Sequence, residues 1–159
     1  MRIGIGYDSH RFAEGRRLIL AGVEIPHERG LIGHSDADVV AHAVTDALLG
    51  AAALGDIGTH FPPADPQWRD ADSLQLLQQA YHSVEELNYQ CVNVDVTVIC
   101  ESPRLGPYIS AMRERLAQAL GVGPQHVSIK AKTNEGMGWL GRGEGIAAMA
   151  VALLNTIEG

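Results

Sequence analysis

Apolar and polar residues alternate from Met1 to Asp8, with Ile3, Ile5 and Tyr7 on one side and Gly4, Gly6 and Asp8 on the other. This two-residue period predicts a strand that runs out at Asp8. If the extended geometry persists for two more residues, Asp8 and His10 project to the same side. Leu18-Ile19-Leu20 and Val23-Glu24-Ile25, separated by Ala21-Gly22 and closed by Pro26, read as a short strand or hairpin. The period then becomes helical. Val40, Val44, Ala47, Leu48 and Ala51 share one stripe, and Asp38, His42 and Asp46 share another. With Ser35 or Asp36 as cap, and Ser35 and Asp38 spaced as in a capping box, this helix is expected to run to about Leu54 and stop at Gly55.

Asp56 to Trp68 holds three prolines and little periodicity, so a loop is expected there. A second helix follows from about Asp72 to Leu87, with Leu74, Leu77, Tyr81, Val84 and Leu87 at core spacing. Val92 to Glu101 alternates as a strand whose apolar set is Val94, Val96, Val98 and Cys100. Pro107 suits the first turn of a third helix, with Ile109, Met112, Leu116 and Leu120 as its stripe and Gly121 as its end. Val127 to Thr133 is the next strand, its lysines on one face, and five glycines between Gly136 and Gly145 mark a loop whose backbone approaches something closely. Ile146 to Leu154 is apolar throughout, and periodicity leaves strand and helix both open. Interleaved strands and helices imply an α/β layered fold.

The 159 residues fit one domain spanning 1–159, and 46% hydrophobic with 19% charged residues is an ordinary globular composition. A formal charge of -7 argues against a nucleic-acid surface. It leaves an anionic small substrate open, because bound divalent cations and local basic groups supply positive charge where it is needed. No apolar run approaches the ~20 residues of a membrane span, and Met1 to Gly4 has no signal-peptide core, so a cytoplasmic protein is expected. Cys91 and Cys100 are nine positions apart along one strand, too far for a bridge, and reduced thiols are expected.

Asp8, His10 and His42 are the best metal-ligand set: two imidazoles and a carboxylate from a strand end and a neighbouring helix, with a fourth place open as in catalytic zinc. Asp38 or Asp46, four positions from His42, is expected to orient its ring. Ordinary polar residues at element ends would give the same spacing. His34, with Ser35 and the free N–H groups of a helix start, can bind a phosphate or simply hydrogen-bond locally. Lys130-Ala131-Lys132-Thr133-Asn134-Glu135 ends a strand in basic groups, a hydroxyl and a carboxylate suited to magnesium; a solvated strand face is the plainer alternative. His27, His60, His82 and His126 are assigned no role.

Several ordered motifs together resemble the 2-C-methyl-D-erythritol 2,4-cyclodiphosphate synthase family of the non-mevalonate isoprenoid pathway. They are Gly6-Tyr7-Asp8-Ser9-His10, His34-Ser35-Asp36-Ala37-Asp38 with His42, and Thr45-Asp46-Ala47-Leu48-Leu49-Gly50-Ala51-Ala52-Ala53-Leu54-Gly55-Asp56-Ile57-Gly58. Further matches are Phe61-Pro62, Asn93-Val94-Asp95-Val96-Thr97, Lys130 to Glu135 and Gly141-Arg142-Gly143-Glu144-Gly145, so the likeness covers nearly the whole chain. The chain departs from the family pattern at Tyr7, Pro63-Ala64 and Arg104.

The resemblance implies an α+β single layered domain with a mixed four- or five-stranded sheet covered on one face by helices. It implies zinc, or another divalent transition metal, on Asp8, His10 and His42, and magnesium or manganese on Glu135 at the diphosphate. His34 and Thr133 are the implied catalytic residues, with His34 and Ser35 at the methylerythritol phosphate and Asp56 and Gly58 at the sugar. Cys100, Pro103, Arg104, Leu105 and Gly106, with Lys132 and Thr133, match the cytidine diphosphate pocket, and Ile57, Phe61, Asp65, Asn134, Trp139 and Arg142 are further implied substrate contacts. The implied reaction is attack of the substrate's 2-phosphate on its β-phosphorus, giving a cyclic diphosphate and CMP. The implied assembly is a homotrimer with active sites between subunits and an isoprenoid diphosphate on the threefold axis, in the cytoplasm or, after loss of a transit peptide, a plastid. The resemblance implies no nucleic acid polymer and no membrane as partner. Two rival readings are a zinc-dependent phosphohydrolase, which would activate water, and a non-catalytic oligomeric binding module with structural zinc, which would normally show four protein ligands.

Overall fold

The computed structural model describes residues 1–158. Its centre is a five-stranded sheet. In chain order the strands are β1 (Arg2–Glu14), β2 (Leu18–Leu20), β3 (Val23–Ile25), β4 (Arg29–Ile32), β5 (Tyr89–Ile99), β6 (Val127–Lys132) and β7 (Gly145–Thr156). The helices are α1 (Val39–Ala51), α2 (Ile57–His60), α3 (Ser73–Glu86), α4 (Ile109–Leu120) and α5 (Gly138–Gly141), with single 3-10 turns at Pro66–Trp68, Gly106–Tyr108 and Pro124–His126. The sheet runs β4-β1-β7-β5-β6, and β2 and β3 form a separate hairpin. Only β5 and β6 pair in parallel, joined through α4 as a parallel pair requires. The expected mixed sheet therefore has five strands, with α1, α3 and α4 on one face.

Several boundaries differ from the sequence expectation. β1 continues through His10 to Glu14 because its far half pairs with β4, a short strand whose four residues carry too little alternation to be recognised alone. α1 begins later than the sequence implies: Asp38, three residues after Ser35 and two after Asp36, is the N-cap, accepting from the Ala41 amide, and the helix ends at Ala51, before Leu54. The expected loop after Gly55 contains α2 and a 3-10 turn, and the glycine-rich loop contains α5. Ile146 to Leu154 belongs to β7, its apolarity explained by burial under α1 on one face and a bare sheet surface on the other.

Small residues set the distance between α1 and the sheet. A Cβ at Gly4 would overlap the Ala47 carbonyl oxygen, and one at Gly6 would overlap that of Ala43, so the helix rests directly on the β1 backbone. Ala148, Ala150 and Ala152 of β7 are fully buried beside them. This closeness brings His42 over the middle of β1, at Asp8 and His10. Gly6→Ala should therefore lift α1, costing about 1–3 kcal/mol of stability by overpacking. Because a misplacement of about 1 Å at a site costs up to ~10²-fold in rate, it should also weaken whatever the site does. Urea unfolding with an unchanged midpoint would contradict this account of the interface.

Cys91 and Cys100 are free and buried. Burial pushes both thiols up to about 11, so at pH 8 only ~10⁻³ of each is thiolate, against roughly a quarter for an ordinary thiol. A disulfide reagent at pH 8 should label neither until denaturant is added; rapid labelling of the native protein would contradict their burial.

Candidate active site

Asp8 and His10 both lie on the helix-covered side of β1, where continued extended geometry puts them, and His42 descends from the first turns of α1. His42 Nδ1 is 3.0 Å from Asp8 Oδ2, His10 Nε2 is 3.0 Å from the same oxygen, and the two nitrogens are 3.3 Å apart. Burial raises the Asp8 pKa, but hydrogen bonds from His10 and His42 and their charge outweigh it, holding the carboxyl below its usual range. Burial depresses His42, and the Asp8 hydrogen bond and charge, helped by Asp38 and Asp36, more than offset this, leaving the imidazole above its usual value.

The three donor atoms fit a divalent transition metal. Bonds of 2.0–2.1 Å in a tetrahedron place donors roughly 3.3 Å apart, close to the triangle observed. His10 Nδ1 is 3.0 Å from the Ile32 carbonyl, which can only accept, so Nδ1 carries a proton and the neutral ring turns a bare Nε2 to the triangle. Of the described residues, these three alone form a group of His, Cys, Asp or Glu close enough to share one ion.

Asp38 and Asp46 do not orient His42, contrary to the helical-spacing expectation. Asp38 is fully buried and accepts from Ala41, Ala21 and Gly22 amides at 3.0, 2.8 and 2.7 Å, tying α1 to the β2–β3 hairpin. Burial and the nearby Asp36 push its carboxyl up to about 6 against those three donors. Asp46 accepts the Ile57 amide at 2.7 Å and so anchors α2. The groups at His42 Nε2 are Ser73 Oγ at 2.7 Å and Ser35 Oγ at 3.1 Å. Ser73 is 31 positions away in sequence, and its place before an apolar run reads only as a helix start.

A cavity of about 280 Å³ opens over the triad, lined by His34, Ser35, Ile57, Gly58, Phe61, Pro63, Trp68 and Leu76. Trp68 stacks edge-on against Phe61 at 5.0 Å, forming an apolar wall that spacing arguments did not identify. At the start of α1 the Ala41 amide is taken by Asp38, and the Ala37 amide just ahead of the helix by Ser35. His34 faces the cavity with Nε2 3.3 Å from the Asp65 carbonyl. The carboxylates of Asp56 and Asp65 cap α2 and the Pro66–Trp68 turn, accepting from Thr59 and Gln67 amides at 2.8 and 3.1 Å.

Lys132, Thr133, Asn134 and Glu135 are elsewhere. β1, β5 and β6 run in the same direction, so these residues share one end of the sheet with Asp8 and His10. Asp8, Ala148, Val98 and Ala131 form one cross-strand row, and at about 4.8 Å per step β6 lies roughly 14 Å from β1. None of Cys100, Pro103, Arg104, Leu105, Gly106 or Lys132 to Glu135 lines the triad cavity. Cys100 and Leu105 are buried, leaving Pro103, Arg104 and Gly106 as the accessible part of that stretch. Glu101, inside the stretch from Cys100 to Gly106, accepts the Asn134 and Gly136 amides at 3.0 and 3.1 Å and shapes the loop that presents Glu135. Trp139 borders a groove with Ser9, His10, Arg11 and Glu144, and Arg142 pairs with Glu144 at 2.9 Å.

Comparison with known proteins gives this geometry a context. A model of the YgbB family matches residues 1–155. The 2-C-methyl-D-erythritol 2,4-cyclodiphosphate synthase of Moorella thermoacetica is 60% identical over 97% of this chain and 94% of its own, and that of Symbiobacterium thermophilum 62% over 97% and 98%. Among solved structures, a 2C-methyl-D-erythritol-2,4-cyclodiphosphate synthase in its CDP-bound form superposes with a TM-score of 0.89 at 39% identity, over 97% of this chain and all of that one. The bifunctional IspDF of Campylobacter jejuni superposes with a TM-score of 0.94 at 42% identity, this chain spanning 98% of itself and 42% of that longer protein. By family match, identity and fold alike, the chain belongs to the YgbB family, among relatives that bear the name 2-C-methyl-D-erythritol 2,4-cyclodiphosphate synthase.

Proposed function

We infer that the protein converts 4-diphosphocytidyl-2-C-methyl-D-erythritol 2-phosphate to 2-C-methyl-D-erythritol 2,4-cyclodiphosphate and CMP, the cyclodiphosphate being the compound that the names of its relatives say they synthesise. The observation that carries this reading is the Asp8–His10–His42 triangle opening into a cavity, in a chain about three-fifths identical to those synthases. An oxygen of the 2-phosphate forms a bond to the β-phosphorus. The bond from that phosphorus to the bridging oxygen breaks, and CMP departs with the electron pair. The substrate carries its own nucleophile, so the protein's task is to bring the two phosphate arms into line and stabilise charge.

His34 and Ser35 border the cavity and bind the 2-phosphate arm, while Ile57, Gly58 and Phe61 hold the sugar and exclude water. Lys132 neutralises the diphosphate and the Thr133 hydroxyl donates to an oxygen on the reacting phosphorus. When bound, a divalent metal such as zinc at Asp8, His10 and His42 supplies a Lewis acid for phosphate oxygens, and magnesium or manganese at Glu135 offsets diphosphate charge. This is how an acidic chain serves a polyanionic substrate. The class is a CMP-releasing, metal-dependent phosphorus-oxygen lyase working in the cytoplasm.

The same reading makes the protein a homotrimer whose sites lie between subunits. The cavity and the Lys132–Glu135 loop stand at one end of the sheet but three strands apart, and a neighbouring subunit's loop set beside the cavity would complete the site. The uncovered sheet face supports it: Ile3, Ile5 and Tyr7 are 71%, 67% and 53% exposed, and Met149 and Val151, their cross-strand neighbours, 41% and 38%. A contiguous apolar sheet face of this kind marks an association surface. An isoprenoid diphosphate near Arg142 and Glu144 on the threefold axis completes the reading.

Turnover of the cytidine-diphosphate substrate followed by phosphorus NMR tests the reaction. A cyclic diphosphate appearing with CMP is expected; open-chain phosphate products would favour a metal-dependent phosphohydrolase instead.

A further inference from the structure

The two triad histidines are held differently. His10 gives its Nδ1 proton to a backbone carbonyl, an acceptor that no substitution removes. His42 presents Nε2 to side chains alone: Ser73 Oγ at 2.7 Å and Ser35 Oγ at 3.1 Å. Ser73 is fully buried, and its hydroxyl donates to Asp36 Oδ1. A hydroxyl has one proton and two lone pairs, so a serine that donates to a carboxylate faces its other neighbour as an acceptor. His42 Nε2 must then be the donor, and its Nδ1 keeps the lone pair that points at Asp8 and His10.

We propose that Ser73, oriented by Asp36, is the positioning residue that places the His42 proton on Nε2 and so leaves Nδ1 open as a metal donor. The proposal rests on the triad being a metal centre and is independent of the reaction carried out there.

Asp36 is itself immobilised. Its carboxylate also takes the amides of Ser73 at 3.0 Å and Asp38 at 3.2 Å, and its own amide donates to the Ala71 carbonyl at 3.2 Å. The Asp70 amide reaches the His34 carbonyl at 2.9 Å, so residues 34–36 and 70–73 are fastened together along their length. The carboxylate that local sequence assigns to the cap of α1 thus serves the first turn of α3 and, through Ser73, the imidazole. Ser35 is the weaker partner: its oxygen is farther from Nε2, it accepts the Ala37 amide at 3.3 Å, and its proton faces the Ser73 hydroxyl at 3.3 Å, a weaker acceptor than a carboxylate.

The test titrates metal-free protein with cobalt(II), followed by visible absorption, and reads the His42 Nε2–H signal of zinc-loaded, ¹⁵N-histidine-labelled protein by NMR. Wild type should show that proton protected from exchange with water. Ser73→Ala should lose the protection and bind cobalt about 10–100-fold more weakly, the usual effect of removing a partner that orients a ligating histidine. Asp36→Asn should shift both readouts in the same direction, and it supplies the test if Ser73→Ala fails to fold by circular dichroism. Ser35→Ala should change cobalt affinity by less than about threefold. Unchanged affinity with a protected proton in Ser73→Ala, or equal losses in Ser35→Ala and Ser73→Ala, would overturn the proposal. A wild type that binds no cobalt would overturn the metal centre with it. Cobalt binding that depends on Ser73 in a protein lacking cyclase turnover would count against the reaction alone and uphold the proposal.

Discussion

His42→Ala should yield a folded protein that retains little or no metal and turns over about 10²–10³-fold more slowly, the scale of losing one well-placed electrostatic contact to a reacting group. The side chain contributes one corner of a triangle whose edges are 3.0–3.3 Å, and Asp8 with His10 alone cannot close it. The fold should survive because what holds α1 in place lies elsewhere: Gly4 and Gly6 under its Ala face, and Asp38 bonded to three amides. Metal analysis together with thermal unfolding checks both halves. Full metal content and normal turnover would refute the ligand assignment, and loss of structure would show that His42 is mainly a packing residue.

The chemistry on β1 was legible because a two-residue period puts Asp8 and His10 on one side, whatever the rest of the chain does. The stripe Val40, Val44, Ala47, Leu48 and Ala51 was legible for the same reason and is buried. What spacing could not supply was the contact between elements distant in sequence. Asp38 and Asp46 sit four positions either side of His42, yet the β2–β3 hairpin and α2 take their carboxylates. The imidazole instead meets Ser73 from α3, a contact that exists only once α3 packs against α1. β4 was invisible because a four-residue strand owes its existence to pairing with β1. Family resemblance named Lys132, Thr133 and Glu135, but only the strand order reveals that they stand across the sheet from the triad.

That separation leads to the second large effect. His42→Ala and Lys132→Ala should each be nearly inactive alone, and a co-refolded equal mixture should recover about a quarter of wild-type activity. In the proposed ring of heterologous contacts, each site would take its triad from one subunit and its lysine from the neighbour. Random mixing pairs an intact triad with an intact lysine in roughly one site in four by that geometry. No recovery, in mixtures shown by sedimentation to contain mixed assemblies, would mean that each site is completed within one subunit. The exposed Ile3, Ile5 and Tyr7 face makes the same point by another route: Ile5→Glu should disperse the assembly and abolish activity together.

The central claim is that the attacking oxygen belongs to the substrate and not to water. Turnover in ¹⁸O-labelled water, with mass spectrometry of both products, tests it most directly. Intramolecular attack predicts that neither CMP nor the cyclic diphosphate gains a heavy oxygen. A product carrying one ¹⁸O on phosphorus would show that water had attacked, and the protein would then be a phosphohydrolase.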